Sequence, residues 1–452
     1  MPNSTFLVTP YLQLGSSPSP DSMMVLWHTE ASSAGDNSWT LQYEMVSDTV
    51  WRQTAIPSKT TLAIKGQEMF NVYRAMLTNL EPGGRFNYTL AKNGLQVFTA
   101  EGKALKSAAQ PYRFVVSGDM GSESRAAKQV AAGIYKSSPD FVAIAGDIVY
   151  DSGLISEYST RWWPIYNSDK VSMYGFPLMQ SIPFFAALGN HDTDTHDLNL
   201  QPDALAYFHF WDQPLNGPDG VEGGPMVPEL ISNKNNRAAF LNGAGDRYPR
   251  MANYSFNYGN AHWTVLDANT YVDWKNEELR DWLRKDLANA QGATWRFLLY
   301  HHPAISSSHT HYEDQQMSVV SALLDSGKVD IVFNGHVHNY QRSFPMLVDT
   351  DPSKIKKGRV FNVNWTLDKS FDGKTNTIPN GVIYIVTGAG GQELYDPEQQ
   401  NDPGSWQKFT DKFISMIHSF SLLEMNGTKL KFSQIGIDGS VLDSFQINKI
   451  AK

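Results

Sequence analysis

The ten residues 141–150, FVAIAGDIVY, constrain this chain more than any other stretch. An apolar run that stops abruptly at Gly146-Asp147 predicts a strand buried on both faces, as in parallel sheets. A carboxylate at the C-terminal end of such a strand sits where open α/β sheets place their ligands. One strand ending in Gly-Asp is often a plain turn. Here the device recurs in order, at Gly118-Asp119, Gly189-Asn190-His191-Asp192, His301-His302-Pro303 and Gly335-His336-Val337-His338. Parallel strands of one sheet present their C-terminal ends at one edge, so these five groups are expected to converge.

The surrounding chain supplies the frame. Its 452 residues exceed one ordinary core and favour two domains. Residues 1–108 read as all-β, with short alternating runs at 23–29, 39–45, 70–80 and 85–94 between Gly, Pro, Ser and Asp clusters. That pattern suits a small sandwich, and because it gathers no group of ionisable residues it reads as a spacer or docking unit. Lys103–Gln110 reads as a linker, leaving residues 109–452 as the second domain. There, strand 113–119, helix 124–138 with Ser122 or Ser124 as N-cap, and the next strand at 141 form a βαβ unit, which calls for a parallel sheet. Further strands are expected at 183–190, 261–267, 295–301, 329–336 and 381–391, and helices at 277–290 and 315–326. Asn-Gly and Asp-Gly turns near the C-terminus predict hairpins that extend the sheet. Thr193–Met251 reads as a long loop-rich stretch of the kind that forms lids, and Pro345–Pro379 as a second irregular insertion.

Composition narrows the chemistry. There is no cysteine, which excludes disulfides and thiolate metal sites, so a metal would be held by His, Asp, Glu, Asn or Tyr. The net charge of −9 argues against a nucleic-acid surface, and suits an enzyme acting on anions only if a metal supplies local positive charge. The N-terminus lacks the features of a signal peptide, and no window approaches the roughly 18 apolar residues of a membrane span. Five Asn-x-Ser/Thr sequons, at Asn3, Asn87, Asn253, Asn364 and Asn426, barely favour secretion in so Asn-rich a chain. Oxygen and nitrogen donors, with carboxylates able to bridge, suit two ions about 3.5–4 Å apart, an arrangement that hydrolyses phosphate esters.

The ordered set GDMG, GDIVY, GNHD, LLYHHP and GHVHNYQR resembles the metallophosphoesterase superfamily, and the tyrosine three residues after the second Gly-Asp resembles the purple acid phosphatases. The likeness extends to PYLQLG, SMMVLWHT and LTNLEPGGRFNYTL, similar to that family's fibronectin type III-like domain, and to GVIYIVTGAGG in its closing region. The resemblance implies a layered α/β/β/α sandwich preceded by a small all-β domain. It implies a ferric iron held by Asp119, Asp147, Tyr150 and His338, and a divalent zinc, manganese or ferrous ion held by Asp147, Asn190, His301 and His336. Asp147 would bridge the two, and His302 would stay outside the coordination shell. About five metal charges against about three from Asp119, Asp147 and a Tyr150 phenolate leave a surplus that attracts phosphate.

The implied activity is an acid phosphatase acting on small phosphate monoesters, with a metal-bound hydroxide as nucleophile and inorganic phosphate as product. A phosphodiesterase acting on nucleotides or phospholipid head groups is the alternative. His191, His309 and His311 are the candidates for protonating the leaving group and clamping phosphate. His191 matches the family position directly, His309 and His311 only in approximate spacing, and Asp192 is expected to orient His191. The resemblance also implies a secreted or periplasmic location, and leaves the oligomeric state open.

Overall fold

The computed structural model describes residues 5–31, 38–349 and 364–450; the sequon at Asn3 and part of the 345–379 insertion lie outside them. The first eight strands form two four-stranded antiparallel sheets. One runs β1 (Val8–Gln13), β2 (Met23–Glu30), β6 (Phe70–Leu77), β5 (Ser58–Leu62); the other runs β4 (Arg52–Gln53), β3 (Trp39–Met45), β7 (Arg85–Lys92), β8 (Leu95–Lys103). Tyr88, in a segment that resembles a tyrosine corner, does not fold back on its own turn. Its hydroxyl donates to the Gln180 carbonyl across the interface at 2.8 Å.

Beyond residue 111 the chain builds two mixed sheets. The first has the order β11 (Phe184–Ala186), β10 (Phe141–Ile144), β9 (Tyr112–Ser117), β21 (Ser419–Asn426), β22 (Lys429–Gly436), β23 (Val441–Asn448). The second has the order β12 (Tyr254–Tyr258), β13 (Ala261–Val265), β14 (Trp295–Leu299), β15 (Ile331–Asn334), β19 (Ile383–Thr387), β16 (Tyr340–Ser343), β20 (Thr410–Ile414). Strands β17 (Met346–Asp349) and β18 (Asn364–Leu367) pair antiparallel as a separate two-stranded sheet, joined to Val382 by a bridge at Met346. Strands β9, β10 and β11 are mutually parallel, as are β13, β14, β15 and β19. The C-terminal hairpins do extend a sheet, through antiparallel pairing of β21 with β9, in which Ser421 faces Val116.

Alternation along each strand decides the layering. Phe114, Phe141 and Phe185 point from the first sheet to meet Trp263, Phe297 and Phe333 of the second in one core. Their neighbours Val115, Val142 and Ile144 point outward against Ala127, Val130 and Ile134 of α1 (Arg125–Ser137). On the far side, Leu298 and Val332 meet Leu279, Leu283 and Leu287 of the helix Glu277–Asn289 and Leu324 of the helix Ser321–Ser326. The order is helix, sheet, sheet, helix. Ser124 caps α1, accepting from the Ala127 N–H at 3.0 Å.

The stretch 193–251 is loop-rich, as the sequence suggests, but it is packed rather than open. It contains the helices Tyr207–Phe210 and Lys234–Ala244, and Tyr207, Phe208, Phe210, Trp211 and Phe240 are buried. Its aromatics pack under the N-terminal sheets: Tyr11 donates to the Phe210 carbonyl at 2.7 Å, and Arg74 pairs with buried Asp212 at 3.2 Å. Asn253 is 5% exposed and accepts a hydrogen bond from the Asp267 N–H, so that sequon offers no site for a sugar.

This interface has a pH consequence. Burial, with Arg247 adding to it, pushes His209 down to about 3, and burial with Arg74 pushes His28 well below its ordinary value. A histidine whose folded pKa lies below its unfolded value of about 6.5 contributes stability that is fully present above pH 6.5 and lost as pH falls through that window. His209→Gln is therefore expected to flatten the fall in unfolding free energy below pH 6.5 by about 1.4 kcal/mol per pH unit. Urea unfolding from pH 7 to 4.5 reads this directly, and an unchanged slope contradicts it.

Candidate metal centre

The five strand ends do converge, but from two sheets rather than one. Asp119, Asp147 and Asn190 follow β9, β10 and β11, whereas His301 follows β14 and His336 and His338 follow β15. The shared edge lies at the seam where the sheets face each other. Asp119, Asp147 and His336 take positive φ of 59°, 51° and 67°, a left-handed conformation uncommon for side-chain-bearing residues. Gly189 needs its lack of a side chain, because a Cβ there would collide with Oδ1 of Asp147.

The side chains form two adjoining groups. In one, Tyr150 Oη lies 3.0 Å from Asp119 Oδ1 and 3.3 Å from His338 Nε2, and His338 Nε2 lies 3.3 Å from Asp119 Oδ1. In the other, His301 Nε2 and His336 Nδ1 each lie 3.0 Å from Asn190 Oδ1. Asp147 belongs to both: its Oδ2 is 3.3 Å from His301 Nε2, and its carboxylate groups with Asp119 and His338, ligand atoms within 4.8 Å of one another. All these residues but Asn190 are buried.

Hydrogen-bond accounting tests whether the donors fit metal ions. His301 Nδ1 is 2.7 Å from the Ala145 carbonyl, and His338 Nδ1 is 2.8 Å from the Glu393 carbonyl. A carbonyl can only accept, so in the neutral rings the proton sits on Nδ1 and Nε2 is a bare lone pair. Those lone pairs point at carboxylate, phenol and amide oxygens, a repulsive arrangement unless a proton or a cation stands between. Donors about 2.1 Å from an octahedral ion lie about 3 Å apart, which is the spacing found. The set therefore fits two cations, with the carbonyls orienting the imidazoles from behind.

The electrostatics agree. Burial disfavours charge on His301, but the Asp147 carboxylate outweighs it and lifts the group to about 9. Burial pushes His336 down to about 4, with His301 and His311 adding to it. Burial, then the charges of Asp119 and Asp147, raise the Tyr150 phenol well above its ordinary value.

The remaining candidates separate. His191 packs against Tyr150 with ring centres 4.4 Å apart and planes tilted 47°, and its Nδ1 donates to the Asp151 carbonyl at 2.6 Å. Asp192 does not orient it. That carboxylate accepts the N–H groups of Ile148, Val149 and Gly189, so it shapes the loops that carry Asp147 and Asn190. His311 packs on His336 at 4.2 Å, whereas His309 is exposed and groups with Asp396 and Glu398. His302 packs on His336 at 4.2 Å. Two residues carry no signal in the sequence. Asp314 Oδ2 lies 2.9 Å from His311 Nδ1 and 3.4 Å from His336 Nε2, and Tyr395 stacks on His338 at 4.0 Å. Neither sits beside a glycine or at a strand end.

Known proteins place this geometry in a family. Residues 112–340 match the calcineurin-like phosphoesterase model, and residues 381–444 match that of the iron/zinc purple acid phosphatase-like protein C. Purple acid phosphatase 23 of Arabidopsis thaliana is 25% identical over 375 residues, covering 76% of this chain and 68% of its own length. Probable inactive purple acid phosphatase 1 of the same plant is 25% identical over 418 residues, covering 84% of this chain and 58% of its own. The purple acid phosphatase PPD1 of yellow lupin seeds superposes with a TM-score of 0.67 at 19% identity, over 97% of this chain and 74% of that one, a likeness of fold. Together with the seam of converging donors, these matches show that the chain belongs to the calcineurin-like phosphoesterase family and, within it, to the purple acid phosphatases.

Proposed function

We propose that this protein is an acid phosphatase that hydrolyses small phosphate monoesters at a dinuclear centre. The carrying observation is that two histidines with their Nδ1 protons committed to carbonyls aim Nε2 lone pairs at Asp119, Asp147, Asn190 and Tyr150. In this reading Asp119, Tyr150 and His338 would hold a ferric ion, Asn190, His301 and His336 would hold a divalent zinc, manganese or ferrous ion, and Asp147 would be shared by both. Bound together, such ions supply Lewis acidity toward phosphoryl oxygens and acidify a water.

The chain's own residues do the rest. Asp147 is the residue both ions would share, because its carboxylate belongs to both groups and is further fixed by the His191 N–H at 3.0 Å. His191, its Nδ1–H hydrogen-bonded to the Asp151 carbonyl, keeps Nε2 for the substrate, which makes it the residue to protonate a departing alkoxide. His311 is held at Nδ1 by Asp314 and leans on His336, a position suited to steadying phosphate, and we assign His309 no contact with substrate. The division into residues 1–108, fibronectin type III-like, and 109–452, catalytic, and a secreted or periplasmic location belong to the same proposal. No helix among the described residues is long and apolar enough to cross a membrane.

Purified protein loaded with iron and zinc is expected to hydrolyse a phosphate monoester at least about tenfold faster than the corresponding diester, below neutral pH. A faster diester makes the protein a phosphodiesterase; no turnover with both ions bound overturns the catalytic reading, a live contrast given the relative described as probably inactive.

A further inference from the structure

The turn after Tyr150 is gripped by two residues of the next helix. Glu157 lies under it: its carboxylate accepts the N–H groups of Asp151, Ser152 at 3.1 Å and Leu154 at 2.9 Å. Arg161, one turn further along, donates to the main-chain carbonyl of Tyr150 and approaches Glu157 at 3.9 Å and Asp151 at 3.7 Å. The Glu157 side chain is 12% exposed and that of Arg161 is 30% exposed. Three N–H groups on one carboxylate are more than a helix cap requires; the guanidinium and the carboxylate together hold the two ends of the Tyr150–Asp151 peptide, and the Ser152 N–H ties down the next peptide, Asp151–Ser152.

That peptide has one further contact, and it points inward. The Asp151 carbonyl accepts the Nδ1 proton of His191 at 2.6 Å, the hydrogen bond that sets the tautomer and tilt of the ring. The other contact on His191 is the ring of Tyr150 itself, tilted 47° to it. Both surfaces that orient His191 thus belong to the segment that Glu157 and Arg161 immobilise. Asp192 holds the preceding N–H groups, of Ile148 and Val149, so the work is divided: Asp192 places Asp147, and the Glu157–Arg161 pair places Asp151 and the turn beyond it.

We infer that Glu157 and Arg161 are positioning residues that hold the Asp151 carbonyl where it fixes His191 for proton delivery to the leaving group. The inference rests on the reading of His191 as the acid. A general acid matters most when the leaving group is a poor one, because an activated phenolate departs with little protonation. The signature of a loosened His191 is accordingly a loss that depends on the ester.

The test compares an alkyl phosphate, glycerol phosphate, with an aryl phosphate, p-nitrophenyl phosphate, in the metal-loaded protein. In Glu157→Gln and Arg161→Gln, kcat for the alkyl ester is expected to fall about tenfold, the lower end for residues that orient a functional group from behind. The aryl ester is expected to lose less than about threefold, with KM, metal content and visible spectrum unchanged. Arg161→Lys, which keeps a donor for the Tyr150 carbonyl, is expected to fall between wild type and Arg161→Gln. Equal losses on both esters, or none, overturn the inference. His191→Ala separates the two readings: a loss there confined to the alkyl ester, absent from the clamp variants, overturns the clamp alone. Equal losses on both esters in His191→Ala overturn the acid role on which it rests.

Discussion

Asp147→Asn is expected to purify as a folded protein that holds at most one ion per chain and has lost phosphatase activity on the order of 10³-fold or more. Burial alone would raise the Asp147 carboxyl, yet the charges of His301 and His191 carry it below the ordinary carboxylate range, so the group is ionised in place. An amide of the same shape keeps the packing and removes the charge. A unit charge pair 4 Å apart interacts by about 4 kcal/mol at an effective dielectric of 20, and two multiply charged ions repel by several times that. Without a shared anion the pair cannot be held together. Metal analysis by plasma emission, with kcat on a monoester, is the measurement; two ions retained and activity within tenfold of wild type would falsify the bridging role.

Tyr150→Phe carries the second large effect, and it is seen by eye. Burial, Asp119 and Asp147 all oppose ionisation of this phenol, so only a strongly charged cation against the oxygen will make it a phenolate. A ferric ion does, and a ferric–phenolate pair absorbs visible light. Iron-loaded wild type is expected to be purple or pink and Tyr150→Phe colourless, while the fold persists because the hydroxyl's partner, Asp119, also accepts the His336 N–H at 3.0 Å. A colourless wild type with full iron, or a variant that stays coloured, removes Tyr150 from the ligand set.

Much of this site is legible in the sequence because its ligands sit where local sequence speaks loudly. Buried strands are near-continuous apolar runs, and a Gly-Asp or Gly-His that ends one stands out against them. The hidden part depends on distance in the chain. Which of two sheets a strand joins is set by register between strands far apart, so His301 and Asp147 read as neighbours at one edge when they face each other across a seam. Spacing cannot separate His309 from His311, because both lie in one turn that sends His311 toward Asp314 and His336 and His309 toward Asp396 and Glu398. Asp314 and Tyr395 lie in irregular segments with no periodicity. The helix Lys234–Ala244 escapes a sequence reading because its Asn-rich sequence has low helix propensity; it is held by the Asn233 cap and by burial of Phe240. The adjacent His191 ring is the obvious partner for Asp192 along the chain, but three backbone N–H groups have the stronger claim on it.

The pairing of β21 with β9 bears on how such a chain comes to life. Strand β9 carries Asp119 to the seam, and its one edge is closed by β10 but its other only by β21, where Val116 meets Ser421. A ribosome adding about 5–20 residues per second exposes β9 for tens of seconds before its second partner is made. Throughout that interval the sheet has an open edge and the first ligand strand is supported on one side only. A messenger truncated before Ser419 yields a product that carries all seven proposed ligands and lacks the strand that closes the second edge of β9.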